Sequence, residues 1–173
     1  MSWPPPAKRI CGYKWGHAAY PLRTMNTKSS LHAACLAYVQ LRLDAARAGM
    51  HAAQESSNSE TKSSAGDKYE TGREMAQQER DRHAMQLHEA QKLLADLQKI
   101  NPELPSDTAR LGALVATNLG RFYLSISAGR LTADGQEFMA VSPVAPIAVA
   151  LQGRKAGEEI VFNGKKIKIE SVA

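Results

Sequence analysis

Between Leu31 and about Glu55 the apolar positions Leu36, Val39, Leu43, Ala46, Met50 and Ala53 recur at alternating intervals of three and four, the spacing of a coiled-coil seam. The stretch holds no proline and one glycine and is rich in Ala, Leu, Gln and Arg, so it predicts one long helix. Its seam residues shrink toward the C-terminal end. SSNSETKSSAG, residues 56–66, has five serines and no large apolar residue, and it reads as an exposed turn.

A second proline-free arm follows from Asp67 to Ile100, with a seam at Leu87, Ala90, Leu94 and Leu97 and a polar first half. Arms of about 25 and 33 residues span about 37 and 50 Å, well beyond the mean globular helix. The expected structure is an antiparallel helical hairpin, packed at its base, with its tip near residues 56–70. Asn101, Pro102 and Pro105 end the second arm.

From Arg110 the pattern changes to short β-branched and aromatic runs broken at Asn118-Leu119-Gly120, Ala128-Gly129 and Asp134-Gly135, as in strands joined by turns. Pro146 to Gly153 reads as one short helix. Glu159–Phe162 and Lys166–Val172 around Asn163-Gly164 form a hairpin signal. The fold class is therefore α+β, a helical hairpin over residues 25–105 and a small β-rich domain with one short helix over 106–173, near the lower size limit for independent folding.

The opening residues 1–24 stand apart. They contain Pro4, Pro5, Pro6, Trp3 and Trp15, lack periodicity, and carry Lys8, Arg9, Lys14 and Arg23 with no acid. They read as a disordered basic leader or as sequence ahead of a start at Met25, which would leave Thr27, Ser29 and Ser30 as helix caps. The formal charge of +5 falls to +1 without those four bases, so the pI near 9.3 is a poor argument for a DNA-binding surface. Two cysteines, Cys11 and Cys35, make neither a disulfide framework nor a zinc set, and no run of about 18 apolar residues occurs, which together predict a cytoplasmic protein without a membrane partner.

Asp67 and Glu70, three residues apart at the start of the second arm, share a helical face and offer oxygen ligands for a hard cation such as magnesium, as an incomplete site. The same acids also complement the helix dipole, which needs no ligand. Glu60 and Glu74 are alternative carboxylates, and Lys62, Lys68 and Arg73 offset them. His32 and Cys35 lie on one helix without an orienting third group, so Cys35 reads as a packing residue. His83 and His88, five apart, do not share a ligand face. Phosphate-loop, dinucleotide and nucleophile-elbow motifs are absent, which argues against a self-sufficient enzyme.

The segment VSPVAPIAVALQGRKAGEEIVF, residues 141–162, resembles the C-terminal signature of the Gre family of bacterial transcript-cleavage factors at Pro146, Ile147, Ala148, Ala150, Leu151, Gly153, Gly157 and Glu158. Gly66-Asp67-Lys68-Tyr69-Glu70 resembles that family's Gly-Asp-x-x-Glu tip motif. The resemblance implies an FKBP-like C-terminal domain that docks on bacterial RNA polymerase, with Ser142, Pro143, Pro146 and Ile147 in the docking segment. It implies a monomer whose hairpin enters the secondary channel. There Asp67 and Glu70 would share magnesium with the polymerase and promote its cleavage of backtracked RNA, meeting the RNA 3′ end only indirectly. Thr71-Gly72-Arg73-Glu74 replaces the family's usual Asn-Ala-Glu-Tyr, and Ala145 its usual serine. A non-cleaving regulator of the same channel, and a coiled-coil interaction protein unrelated to transcription, stay open beside the cleavage factor.

Overall fold

The computed structural model describes residues 21–60 and 66–173. Two long helices, α1 (Pro21–Glu60) and α2 (Gly66–Gln98), precede six strands and one short helix. The pairs Arg42 with Glu89, Gly49 with His83 and Gln54 with Arg80 rise in number on α1 as they fall on α2, so the helices run antiparallel. The antiparallel packing expected of a hairpin's two arms is present among the described residues.

Both ends of α1 differ from the sequence reading. It starts at Pro21, a residue suited to the first helical turn because its missing N–H has no partner there. Thr27, Ser29 and Ser30 therefore lie within the helix and do not cap it. At the other end the serine-rich stretch stays helical through Glu60, with Gln54 Nε2 donating to Asn58 Oδ1 one turn on at 3.2 Å. Serine is only a middling helix former, so a packed preceding helix can carry several serines. Residues 1–20, most of the expected leader, and the expected turn residues 61–65 lie outside the described residues.

Burial on α1 follows Leu31, Cys35, Val39, Leu43, Ala46 and Ala53, so Cys35 takes the place expected for Leu36, which is only half-buried. On α2 Ala76, Ala90 and Leu97 are buried, with half-buried Arg80, His83, Leu87 and Leu94 completing one heptad line.

The strands are β1 (Leu114–Thr117), β2 (Gly120–Leu124), β3 (Gly129–Ala133), β4 (Gln136–Val141), β5 (Glu159–Phe162) and β6 (Lys165–Val172), with α3 (Pro146–Leu151) before β5. They form one mixed sheet in the order β3-β4-β2-β1-β6-β5. Every pairing is antiparallel except β2 with β4. Two hairpins turn on Asp134-Gly135 and Asn163-Gly164, whose φ values of 51 and 71° and of 49 and 75° are the left-handed pair that a two-residue turn needs.

Each sheet face has its own core. On one face Leu114, Tyr123, Phe138 and Ala140 pack with Leu31, Cys35, Val39 and Leu97 of the hairpin base. On the other, Val115, Leu124, Ile160, Ile167 and Ile169 pack with Ala148 and Leu151 of α3. The helices and the sheet thus share a core at the root of the hairpin.

Polar contacts fix that seat. Thr27 Oγ1 donates to Asp134 Oδ2 at 2.6 Å, and Lys28 Nζ donates to the Leu104 carbonyl at 2.8 Å. Cys35 Sγ lies 3.7 Å from Ser125 Oγ, and Tyr123 Oη lies 3.5 Å from His32 Nδ1.

Candidate functional site

The far end of the hairpin carries the candidate carboxylates. Gly66 opens α2, so Asp67 belongs to its first turn, while its side chain lies outside the described residues. Glu70 is exposed, and Glu74 is exposed one turn further on. Glu70, Arg73, Glu74 and Gln77 of α2 face Gln54 and Asn58 of α1 across an open groove of about 890 Å³. Arg80 closes its lower end, donating from Nη1 to Gln54 Oε1 at 3.1 Å and from Nη2 to Gln77 Oε1 at 2.8 Å. Glu70 and Glu74, four apart on one face, can present oxygens to a hard cation, while Arg73 and Arg80 supply opposing charge.

Glu74, expected as an alternative carboxylate, and Arg73, expected to offset the acids, share this groove with the α1 amides, to which no sequence signal points. The one sequence signal for Glu74 is its distance of one helical turn from Glu70. Gln54 falls within the helix that the sequence predicts, whereas the place of Asn58 depends on α1 continuing into the serine-rich stretch, which its composition hides.

The segment expected to dock lies far from Glu70, and Glu70 and Leu97 alone are separated by about 40 Å of helix. Ser142 and Pro143 are half-buried in the loop after β4, Pro146 is exposed at the start of α3, and Ile147 packs half-buried against the sheet. The Ser142 carbonyl accepts from the Ala145 amide at 2.9 Å, and its Oγ accepts from the Val144 amide at 3.4 Å, so Ser142 shapes the turn. Val144 is 82% exposed and Val149 57%. With the exposed Pro146 they add apolar surface to this segment, and neither valine belongs to the matched motif positions.

Cys35 is buried beside Ser125, and burial pushes its thiol pKa up despite the hydrogen bond from that side. A raised pKa disfavours the thiolate needed of a nucleophile. Burial likewise pulls the His32 pKa down and pushes the Tyr123 hydroxyl well above its ordinary value, with the charge of a Cys35 thiolate as a second cause for the tyrosine. This is a packed seat with polar contacts. His83 lies in the seam and His88 on the exposed face, so the two are separated as their spacing predicts. Among the described residues no three His, Cys, Asp or Glu side chains gather as a metal set. Among them, too, no helix is long and apolar enough to cross a membrane.

Comparison of the chain with protein-family models, with curated proteins and with solved structures finds no match.

Proposed function

We propose that the protein is a secondary-channel factor of bacterial RNA polymerase, acting as a cytoplasmic monomer that promotes cleavage of backtracked RNA. The observation that carries the reading is an exposed carboxylate, Glu70, at the distal end of a hairpin whose base is fixed in the core of a sheet domain. In this reading the sheet domain is FKBP-like and docks through the surface around Ser142, Pro143, Pro146 and Ile147, extended by Val144 and Val149. The hairpin then reaches the catalytic centre of the enzyme.

Asp67 and Glu70 contribute oxygen ligands at that centre. A magnesium ion shared with the polymerase supplies Lewis acidity and a water of lowered pKa. The exposed Glu70 fits such a shared site, because hard cations accept one or two protein carboxylates and take the rest from elsewhere. The factor alone has no nuclease activity in this scheme.

One feature favours a second reading, a regulator that occupies the channel without stimulating cleavage: Arg73 and Arg80 line the same groove as Glu70 and Glu74 and offset their charge. Backtracked elongation complexes of the cognate polymerase decide between them. Release of short 3′ RNA fragments with the wild type, lost in Asp67→Ala and Glu70→Ala, establishes the cleavage factor. Binding without release selects the regulator, and absence of binding defeats both.

A further inference from the structure

Lys28 presents a problem of charge. It is 2% exposed, and its ammonium donates one hydrogen bond, to the Leu104 carbonyl at 2.8 Å. Arg110 Nη2 donates to the carbonyl of the next residue, Pro105, at 3.2 Å. Two cations thus hold consecutive carbonyls of the connector between α2 and β1. Among the described residues neither forms an ion pair. The acids of the same connector, Glu103 and Asp107, are exposed and pair with neither.

A buried cation is ordinarily matched by a carboxylate or another anion. Residues 1–24 contain no Asp or Glu that could supply one. Burial and the nearby Arg110 charge both depress the Lys28 pKa. An ammonium has three donors and a guanidinium five, so most of the donor capacity of this pair is not spent on the two carbonyls.

We propose that Lys28 and Arg110 form a binding site for a phosphate-class oxyanion, either free phosphate or the terminal phosphate of a nucleotide, at the joint between hairpin and sheet. A dianion between them turns their mutual repulsion into two attractions. The exposed Arg110 gives entry and bidentate geometry, and the buried Lys28 supplies a charge poorly screened by water. Occupancy ties the first turns of α1 to the connector and so holds the hairpin on its seat. The site stands apart from the tip and from the docking surface, and it does not depend on the polymerase reading.

The test is calorimetric titration of the full chain with inorganic phosphate and, separately, a nucleoside triphosphate, at constant ionic strength set with chloride, alongside thermal unfolding. The expected result is saturable binding and a rising Tm for the wild type. Lys28→Met should abolish the saturable binding while still folding without phosphate, since the loss of the Leu104 hydrogen bond is offset by the removal of a buried charge. Arg110→Gln should fold normally and bind about tenfold or more weakly, the loss of one charge-assisted contact. Tighter binding of the triphosphate identifies a nucleotide site, and equal binding a free-phosphate site. An absence of saturable heat, or a Tm that rises equally in wild type and both variants as general salting-out predicts, overturns the proposal.

Discussion

Gly49 of α1 sits directly against the ring of His83 on α2, and a Cβ built on the glycine would lie 2.4 Å from the nearest ring atom. The lone glycine of an otherwise good helix former is therefore the socket for a seam side chain. His83 Nδ1 is 3.1 Å from Gln86 Oε1, which orients the ring toward that socket.

This contact inverts the usual effect of a helical Gly→Ala change, which gains about 1 kcal/mol. In Gly49→Ala the new methyl must displace the ring, so the gain should vanish or turn into a loss. In a His83→Ala background the full gain should return, a coupling of about 1 kcal/mol in a double-mutant cycle from urea unfolding. Equal gains in both backgrounds would mean that the ring swings aside freely.

The shared core makes hairpin and sheet unfold together. Leu97→Ala, at a fully buried position of the helix–sheet cluster, should cost about 2 to 5 kcal/mol and shift the far-UV and tyrosine near-UV transitions to the same lower midpoint. Leu41→Ala, at a position 70% exposed on the same hairpin, should stay within about 0.5 kcal/mol. Two separate transitions in Leu97→Ala would contradict a common core.

His32 sets a pH dependence with a definite sign. Burial lowers its folded pKa below the 6.5 of the free side chain, so the unfolded chain binds the proton more readily. Its contribution is present above about pH 6.5 and is lost as pH falls through the lower folded value. Urea midpoints taken between pH 8 and 5 should decline below pH 6.5 in the wild type and decline less in His32→Gln. Identical profiles would remove His32 as a cause.

Cys35 should resist thiol reagents in the native state, since its sulfur is buried and its pKa raised. Mass analysis after alkylation at pH 8 should find it unmodified until denaturant is added. Rapid native modification would contradict the packed seat at Ser125.

The sequence displayed most of this architecture because its signals were local. The heptad line from Leu87 to Leu97, the short helix from Pro146 and the Asn163-Gly164 turn all depend on residues within a few positions of one another. What escaped was set by distant partners. Cys35, buried ahead of Leu36, meets Ser125 from the sheet, and Thr27 and Lys28, which the sequence offers as a cap and a solvent-facing base, meet Asp134 and Leu104 instead. Of the candidate site, the Glu70 position followed from spacing alone, whereas its groove partners Gln54 and Asn58 needed the second helix beside it.

Rooting α1 and α2 in the sheet core also gives the molecule the mechanics of a pointer on a bearing. Glu70 stands about 40 Å along α2 from Leu97, so a rotation of about 5° at the root sweeps the tip through about 3 to 4 Å, more than a hydrogen-bond length. Small repacking around Cys35, Ser125 and Tyr123 is thereby magnified at the far end, and the direction of the tip becomes a property of residues about 40 Å away from it.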